Sequence, residues 1–328
     1  MTATGAVEAR ELGIALMHEH VFINMLSERR PEGLLNDYPL MRQELDAFVQ
    51  AGGRTLVDLT TAELTHGAAP DPAGTLSGAP STGYAEGGSR SRQHVLAVRQ
   101  IAAETGLNII LGTGHYRDPF IDTAWFDRHS VAQIAEQMVH DIDEGMAQTG
   151  VRAGIIGEIG ADKWYLSAAE ERSFRAAARA HARTGLTVST HAAKWPVGIA
   201  QLDLLSAAGV DPARIIVGHC DTVNLPEYHR EIARRGAYVQ LDNIRCATEY
   251  DLTMRVGFVV ALVRAGHLDR ILLSHDICKR SHLAISGGGG FDFVPRVFVP
   301  ALKQAGLDQG EIDRILVDNP RRALTGGD

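Results

Sequence analysis

Six side chains in this sequence combine the residue types and positions needed to hold metal. His18-Glu19-His20 sets two imidazoles one residue apart. On an extended strand side chains alternate, so both rings fall on one side and Glu19 on the other. Two neutral imidazoles aimed at one point suit zinc, iron, nickel and related divalent ions. A lone His-x-His pair arises readily by chance, but further donors stand at the ends of later apolar runs. Glu158 follows Ile155-Ile156-Gly157, His191 follows Val188-Ser189-Thr190, His219 follows Val217-Gly218, and Asp276 follows Leu273-Ser274-His275. One catalytic ion usually takes three protein ligands and a water. Six donors suit two ions, about 3.5–4 Å apart, that share a carboxylate and a hydroxide. Taken singly, Glu158 reads as a salt-bridged rim residue and Asp276 as a helix N-cap. His275 should face away from Asp276 and serve packing or outer support. Cys220 and Cys278 read as wall residues, because thiolate ligation would be redundant.

The donors need a frame that brings strand ends together. Eight short apolar runs recur, at 13–17, 55–59, 108–112, 154–157, 187–190, 214–218, 237–241 and 271–274. Most are continuous rather than alternating, as expected for strands covered on both faces of a parallel sheet. Helical patterns occupy 93–105, 131–149, 168–184, 198–208, 225–235 and 252–265, and several end at a glycine such as Gly106, Gly185 or Gly266. Eight strand–helix units predict an α/β fold, a (β/α)8 TIM barrel forming a single domain over 1–328. A doubly wound open sheet is the alternative. In a closed barrel the strand ends meet on one rim, and the six donors surround one cavity. The Gly-, Ala-, Pro- and Ser-rich stretch 66–91 follows the second strand and would leave that rim, as a lid, a subunit contact or a surface insertion.

Composition narrows the class. A chain of 328 residues with 45% hydrophobic content has enough apolar material for a large core. A formal charge of −8 gives no basic face for nucleic acid. No secretory leader and no apolar run long enough to span a bilayer are visible, and the three cysteines are too far apart to suggest a disulfide framework. These features predict a soluble cytoplasmic protein with a small-molecule partner.

The motifs Met17-His18-Glu19-His20, Gly112-Thr113-Gly114-His115-Tyr116, Gly157-Glu158-Ile159-Gly160, Thr190-His191, Gly218-His219-Cys220-Asp221 and Ser274-His275-Asp276 together resemble the phosphotriesterase-like branch of the amidohydrolase superfamily. The resemblance runs from Leu16 to about Leu324. The tail, with Gly287-Gly288-Gly289-Gly290-Phe291 and Asp318-Asn319-Pro320, is similar to its phosphotriesterase-related subgroup. It implies that His18, His20 and Asp276 hold a buried metal and that His191 and His219 hold a more exposed one. It also implies two divalent ions, zinc or else manganese, cobalt or iron, and a homodimer. Many relatives bridge the ions with a carboxylated lysine on strand four. This chain has Glu158 there, and Lys163 lies five residues on.

The expected chemistry is hydrolysis: the metals lower the pKa of a shared water and polarise the scissile C=O or P=O, while Asp276 shuttles the proton. No Gly-x-Ser-x-Gly elbow and no Lys-Ser/Thr after the Gly287-Gly288-Gly289-Gly290 run support other chemistries. Tyr116 falls where lactonase relatives carry a pocket tyrosine. Those relatives place an arginine directly after the Asp of strand seven, whereas Asn243 follows Asp242 here and Arg245 comes two residues later. Arg245, Lys279 and Arg280 would suit an anionic substrate. Trp164, Tyr165 and Trp195 are candidate aromatic walls. The reading is a carboxylic ester, lactone or amide hydrolase. A phosphotriesterase and a non-catalytic metal-binding protein are its alternatives.

Overall fold

The structure, a computed structural model, describes residues 1–70, 88–245 and 248–327. Eight strands, β1 (Ile14–Glu19), β2 (Gly53–Asp58), β3 (Asn108–Thr113), β4 (Ile155–Gly160), β5 (Val188–His191), β6 (Ile215–Val217), β7 (Tyr238–Leu241) and β8 (Ile271–Leu273), lie in sequence order, each parallel to the next. Helices return the chain between them, among them Arg92–Thr105, Ala168–Thr184 and Glu249–Arg264. The result is a (β/α)8 barrel. One apolar cluster, with Ala15, Met17, Ile110, Ile155, Ile216 and Leu272, fills the interior; a second packs Leu16, Leu56 and Ile156 against helix residues such as Phe48 and Phe174. Asn319 donates to the carbonyls of Leu268 and Ile271 at 2.8 and 2.9 Å, which pins the C-terminal helix beneath β8.

Two elements depart from the sequence reading. Tyr38–Gln50 forms a helix before β2, where none is expected; Asp37 caps it by accepting from Leu40 N at 3.1 Å, and a proline opens its first turn. The helix expected over 131–149 stops at Asp143, because Gly145 at φ 110° breaks it before a short 3-10 turn, Met146–Gln148. Of the stretch 66–91, residues 71–87 lie outside the described residues. Its last residues are tied down: buried Arg90 donates to Asp58 Oδ1 at 2.8 Å and to the Gly112 carbonyl at 2.9 Å.

β1 and β4 share an irregularity that decides where their side chains point. In β1 the pairing passes from Leu16↔Leu56 to Glu19↔Asp58, and in β4 from Ile156↔Val188 to Ile159↔Thr190. Each strand thus carries one residue more than its neighbour. A bulge of this kind re-aims the side chains beyond it. Leu16 and Ile156 face the helices, and simple alternation would send His18 and Glu158 the same way. The bulges turn both into the barrel mouth. In β4 the bulge falls at Gly157, whose φ of 136° and 2.4 Å clearance between an added Cβ and the Ser189 carbonyl leave room for glycine alone.

The barrel closes between β8 and β1 largely through bonds that pair side chains with backbone. His18 N donates to Ser274 Oγ at 2.9 Å, and Asp276 N to the His18 carbonyl at 3.1 Å. Glu19, fully buried and directed away from His18, accepts from Ser274 Oγ and His275 N at 2.8 Å each and from Ile277 N at 3.0 Å, and its Oε1 also contacts His275 Nδ1 at 2.8 Å. Glu19→Ala strands two backbone N–H groups, a hydroxyl and a ring nitrogen in a dry seam, at about 1–3 kcal/mol for each group left unpartnered. A loss of about 3 kcal/mol or more is expected, read as a lowered urea midpoint; a wild-type midpoint would show that the seam does not depend on this carboxyl.

Candidate metal centre

The strand ends deliver the donors to one place. His18 lies in β1 and His20 one residue past it, Glu158 in the β4 bulge, His191 at the last position of β5, His219 just beyond β6, and Asp276 beyond β8. His219 and Asp276 sit at φ 55° and 53°, in the left-handed region where non-glycine residues are uncommon, so the chain turns sharply as each side chain enters the cavity. Five of the six are buried, and Asp276 is nearly so.

The donor atoms fall into two groups, His18 with His20 and Asp276, and Glu158 with His191 and His219; within each, one atom per residue lies within 4.8 Å of the others. Glu158 touches both. Its Oε2 is 3.0 Å from His191 Nδ1, 3.4 Å from His18 Nε2 and 3.5 Å from His219 Nε2, and its Oε1 is 3.7 Å from His20 Nε2. His20 Nε2 is 3.3 Å from Asp276 Oδ1. Ligands about 2.0–2.1 Å from a tetrahedral ion stand about 3.4 Å apart, which matches most of these spacings. The 2.7 Å between His219 Nε2 and His191 Nδ1 is tighter. Among the described residues, His18 Nε2, which faces Glu158, is a buried nitrogen without a hydrogen-bond partner. A buried polar atom left so is costly unless something fills its place. The donor set therefore fits divalent metal.

Asp242 orients two of the rings, a role absent from the sequence reading. Its oxygens contact His18 Nδ1 at 2.9 Å and His219 Nδ1 at 2.7 Å, and it accepts from Gln240 Nε2 at 2.8 Å and from His219 N at 3.1 Å. These contacts turn both Nε2 atoms toward Glu158, as carboxylates behind ligating histidines commonly do. With His18 and His219, Asp242 also forms a third possible donor group, but hydrogen bonds to both rings already occupy its oxygens. The signal was legible, since Asp242 ends β7 as the donors end their own strands. Thr60 plays the same part for His20, with Oγ1 2.9 Å from Nδ1.

The electrostatics follow from this packing. Burial alone would push Glu158 up, but His18 and the other rings hold it well below the usual carboxylate range. Burial opposes charge on His219 too, yet Asp242 and Glu158 push it up to about 10, and His18 rises for the same reason. His191 is pushed down to about 4 by burial and by the neighbouring His219.

An open cleft lies above the donors, the kind of site that takes a small molecule. Tyr116, Asn243, Arg245 and Lys279 line it, as does Cys278, whose thiol burial pushes far up. Tyr116 OH is 3.2 Å from His191 Nδ1. Arg245 is held by Asn243 Oδ1 at 2.7 Å, His282 Nε2 at 3.0 Å and the His275 carbonyl. Arg280 is not among the lining residues. Lys279 is extended, and alternation turns the next side chain outward, where Arg280 opens a 3-10 turn with its N–H on the Glu32 carbonyl. Trp164, Tyr165 and Trp195 are exposed and line no part of the cleft, Lys163 pairs with Asp118 at 2.6 Å, and Cys220 lies in the core. His275, as expected, faces away, with Nδ1 2.8 Å from Glu19 Oε1 and Nε2 accepting from Val294 N at 3.0 Å.

Comparison with known proteins agrees with this geometry. The sequence signature of the Phosphotriesterase family matches residues 1–69 and 88–324. The chain is 34% identical over 309 residues to the phosphotriesterase homology protein of Escherichia coli K12, covering 94% of this chain and 96% of that one. It is 30% identical over 304 residues to the N-acetyltaurine hydrolase of Tetraodon nigroviridis, covering 89% and 79%. Among solved structures, the lactonase of Listeria monocytogenes superposes with a TM-score of 0.82 at 25% identity, over 99% of this chain and 98% of that one. The chain belongs to the phosphotriesterase family of metal-dependent hydrolases.

Proposed function

We propose that the protein hydrolyses a carboxylic ester, lactone or amide bond in a small anionic molecule, using two divalent metal ions. The observation that carries the reading is the pair of donor groups joined by Glu158, with the buried Nε2 of His18 left unpartnered beside it. In this reading His18, His20 and Asp276 hold one ion, His191 and His219 the other, and Glu158 bridges them without needing carbon dioxide to build the bridge. Bound there, the ions supply an acidified water and a Lewis acid for the scissile carbonyl.

The protein's own groups do the rest. Burial would raise the Asp276 carboxyl, but His20 and Arg245, the latter 3.8 Å away, hold it well below the ordinary range. Held ionised, it would accept the proton of the attacking water and pass it to the leaving group, the role of a general acid–base group. Burial and Glu158 push the Tyr116 phenol up, so Tyr116 remains a neutral donor on the substrate side of His191. Arg29, Arg117, Lys194, Arg245 and Lys279 line the cleft against Glu158, Asp162 and Asp276. This cationic wall suits an anionic acyl compound better than a neutral triester. The N-acetyltaurine hydrolases among the relatives bear the name of such a substrate.

A panel of γ-lactones, N-acyl amino acids, N-acyl aminosulfonates, aryl esters and paraoxon tests the bond type; turnover of paraoxon alone would refute the acyl reading. Chelation should abolish turnover and zinc, manganese or cobalt restore it, with two metal equivalents per chain by elemental analysis. Asp276→Asn is expected to lower kcat by about a thousandfold or more at an unchanged melting temperature. Asp242→Asn, which leaves all six donors in place, should weaken metal affinity about tenfold to a hundredfold in chelator competition. Wild-type affinity in that variant would remove Asp242 from the centre.

A further inference from the structure

The cations of the cleft differ in what already occupies them. Arg245 donates from all three nitrogens to protein acceptors. Arg117 is paired with Glu28, lies 3.3 Å from Asp162, and sits over the Tyr116 and Phe120 rings. Lys194 is more than half exposed and reaches Asp162 at 3.5 Å. Arg29 and Lys279 are different. Arg29 Nη2 comes no closer than 3.9 Å to Glu28, and Lys279 Nζ no closer than 3.9 Å to Glu32.

Neither acid is available to move closer. Glu28 is taken by Arg117, and Glu32 Oε2 accepts from Ser281 Oγ at 2.5 Å. At such distances a half-exposed pair contributes little. Arg29 Nε is in addition buried without a hydrogen-bond partner among the described residues, as Arg117 Nε is too. A buried guanidinium nitrogen in that state lacks an acceptor. The two cations also share a wall: Arg29 sits in the loop between the short antiparallel strands Ile23–Asn24 and Leu34–Leu35, which the Glu32 carbonyl ties to Arg280 N at 3.0 Å, next to Lys279.

We propose that Arg29 and Lys279 form an anion subsite on the wall made by the loops after β1 and β8, which takes the carboxylate or sulfonate at the far end of the substrate. The inference rests on the hydrolytic reading for its role, though not for its existence. A guanidinium fork fits two oxygens of either group, and an ammonium beside it adds a second charge. The loops that carry both cations follow the strands that supply His18, His20 and Asp276, so the anion would be held on the wall above these donors, and the subsite would select which acyl compounds are positioned there.

The test compares an N-acyl aminosulfonate and an N-acyl amino acid with the matching N-acyl amino alcohol. In the metal-loaded enzyme, Arg29→Met should cut the ratio of kcat/KM for the anionic over the neutral substrate by about tenfold to a hundredfold, through KM, with Arg29→Lys recovering part of it. Lys279→Met should act in the same direction by a smaller factor. An unchanged ratio would overturn the subsite, and so would an equal loss on all three substrates. Binding supplies an independent readout: propane-1-sulfonate, titrated calorimetrically into metal-loaded protein, should bind the wild type at least about tenfold more tightly than Arg29→Met. If none of the acyl substrates is turned over, the hydrolytic reading fails, and the sulfonate titration still decides the subsite. Equal sulfonate affinity in both proteins refutes it.

Discussion

Glu158 carries a carboxylate into a space closed to water, and four imidazoles stand around it. Burying an ionised carboxylate costs several kcal/mol at the least, so positive charge has to meet it there. Asp242 and Asp276 add two more carboxylates to the same centre. Protons on the rings would answer the charge but would block the nitrogen lone pairs that point inward. Divalent cations answer the charge and occupy those lone pairs at the same time. The same carboxylates push His18 and His219 up, a sign of how strongly the cluster favours positive charge.

The frame around the centre is shaped by the need to aim these groups. A regular barrel strand alternates strictly, which would leave His18 on the Leu16 side and Glu158 on the Ile156 side. The two bulges break that alternation at the two strands where it matters. Past the strand ends, His219 and Asp276 adopt left-handed backbone conformations, and each is held by a neighbouring strand: His219 N by Asp242, Asp276 N by the His18 carbonyl. Glu19, the middle residue of the His-x-His pair, turns its carboxyl away from the metal donors and closes the seam they depend on. Adjacent residues thus offer a candidate metal donor and close the barrel from opposite sides of one strand.

Much of this was legible in the residues alone. The donors stood out because each ends an apolar run, and parallel strands deliver their ends to one rim. The opposite orientation of Glu19 and the outward-facing His275 also followed from alternation. The bulges did not, since nothing in Leu16-Met17-His18 announces an extra residue, although Gly157 marks the one in β4. Asp242 was visible as the end of a strand, but its role depends on two rings from β1 and β6 meeting over it, which is a three-dimensional fact. Arg280 was expected on the catalytic rim, but it begins a 3-10 turn after Lys279 and is not among the residues that line the cleft. Tyr38–Gln50 was missed because it follows a stretch of irregular chain that carries little periodic signal.

What distinguishes this protein among its relatives has to lie in the wall rather than the floor. Relatives named as lactonase, organophosphorus hydrolase and N-acetyltaurine hydrolase share the fold at TM-scores or identities that span the whole barrel, and a fold does not by itself choose a substrate. An acidified water and a Lewis acid attack a lactone, an amide or a phosphotriester with the same equipment. Discrimination therefore falls to the groups that hold the rest of the molecule. Here Arg245 donates from all three nitrogens to protein acceptors and Arg117 pairs with Glu28 and Asp162, while Arg29 and Lys279 have only distant acids beside them. A cation fixed by protein acceptors can set a field but cannot change partners when a substrate arrives. Only the second kind can exchange a weak, distant acid for a strong, close one, and under the proposed function that exchange is the step on which selection for an anionic substrate would rest.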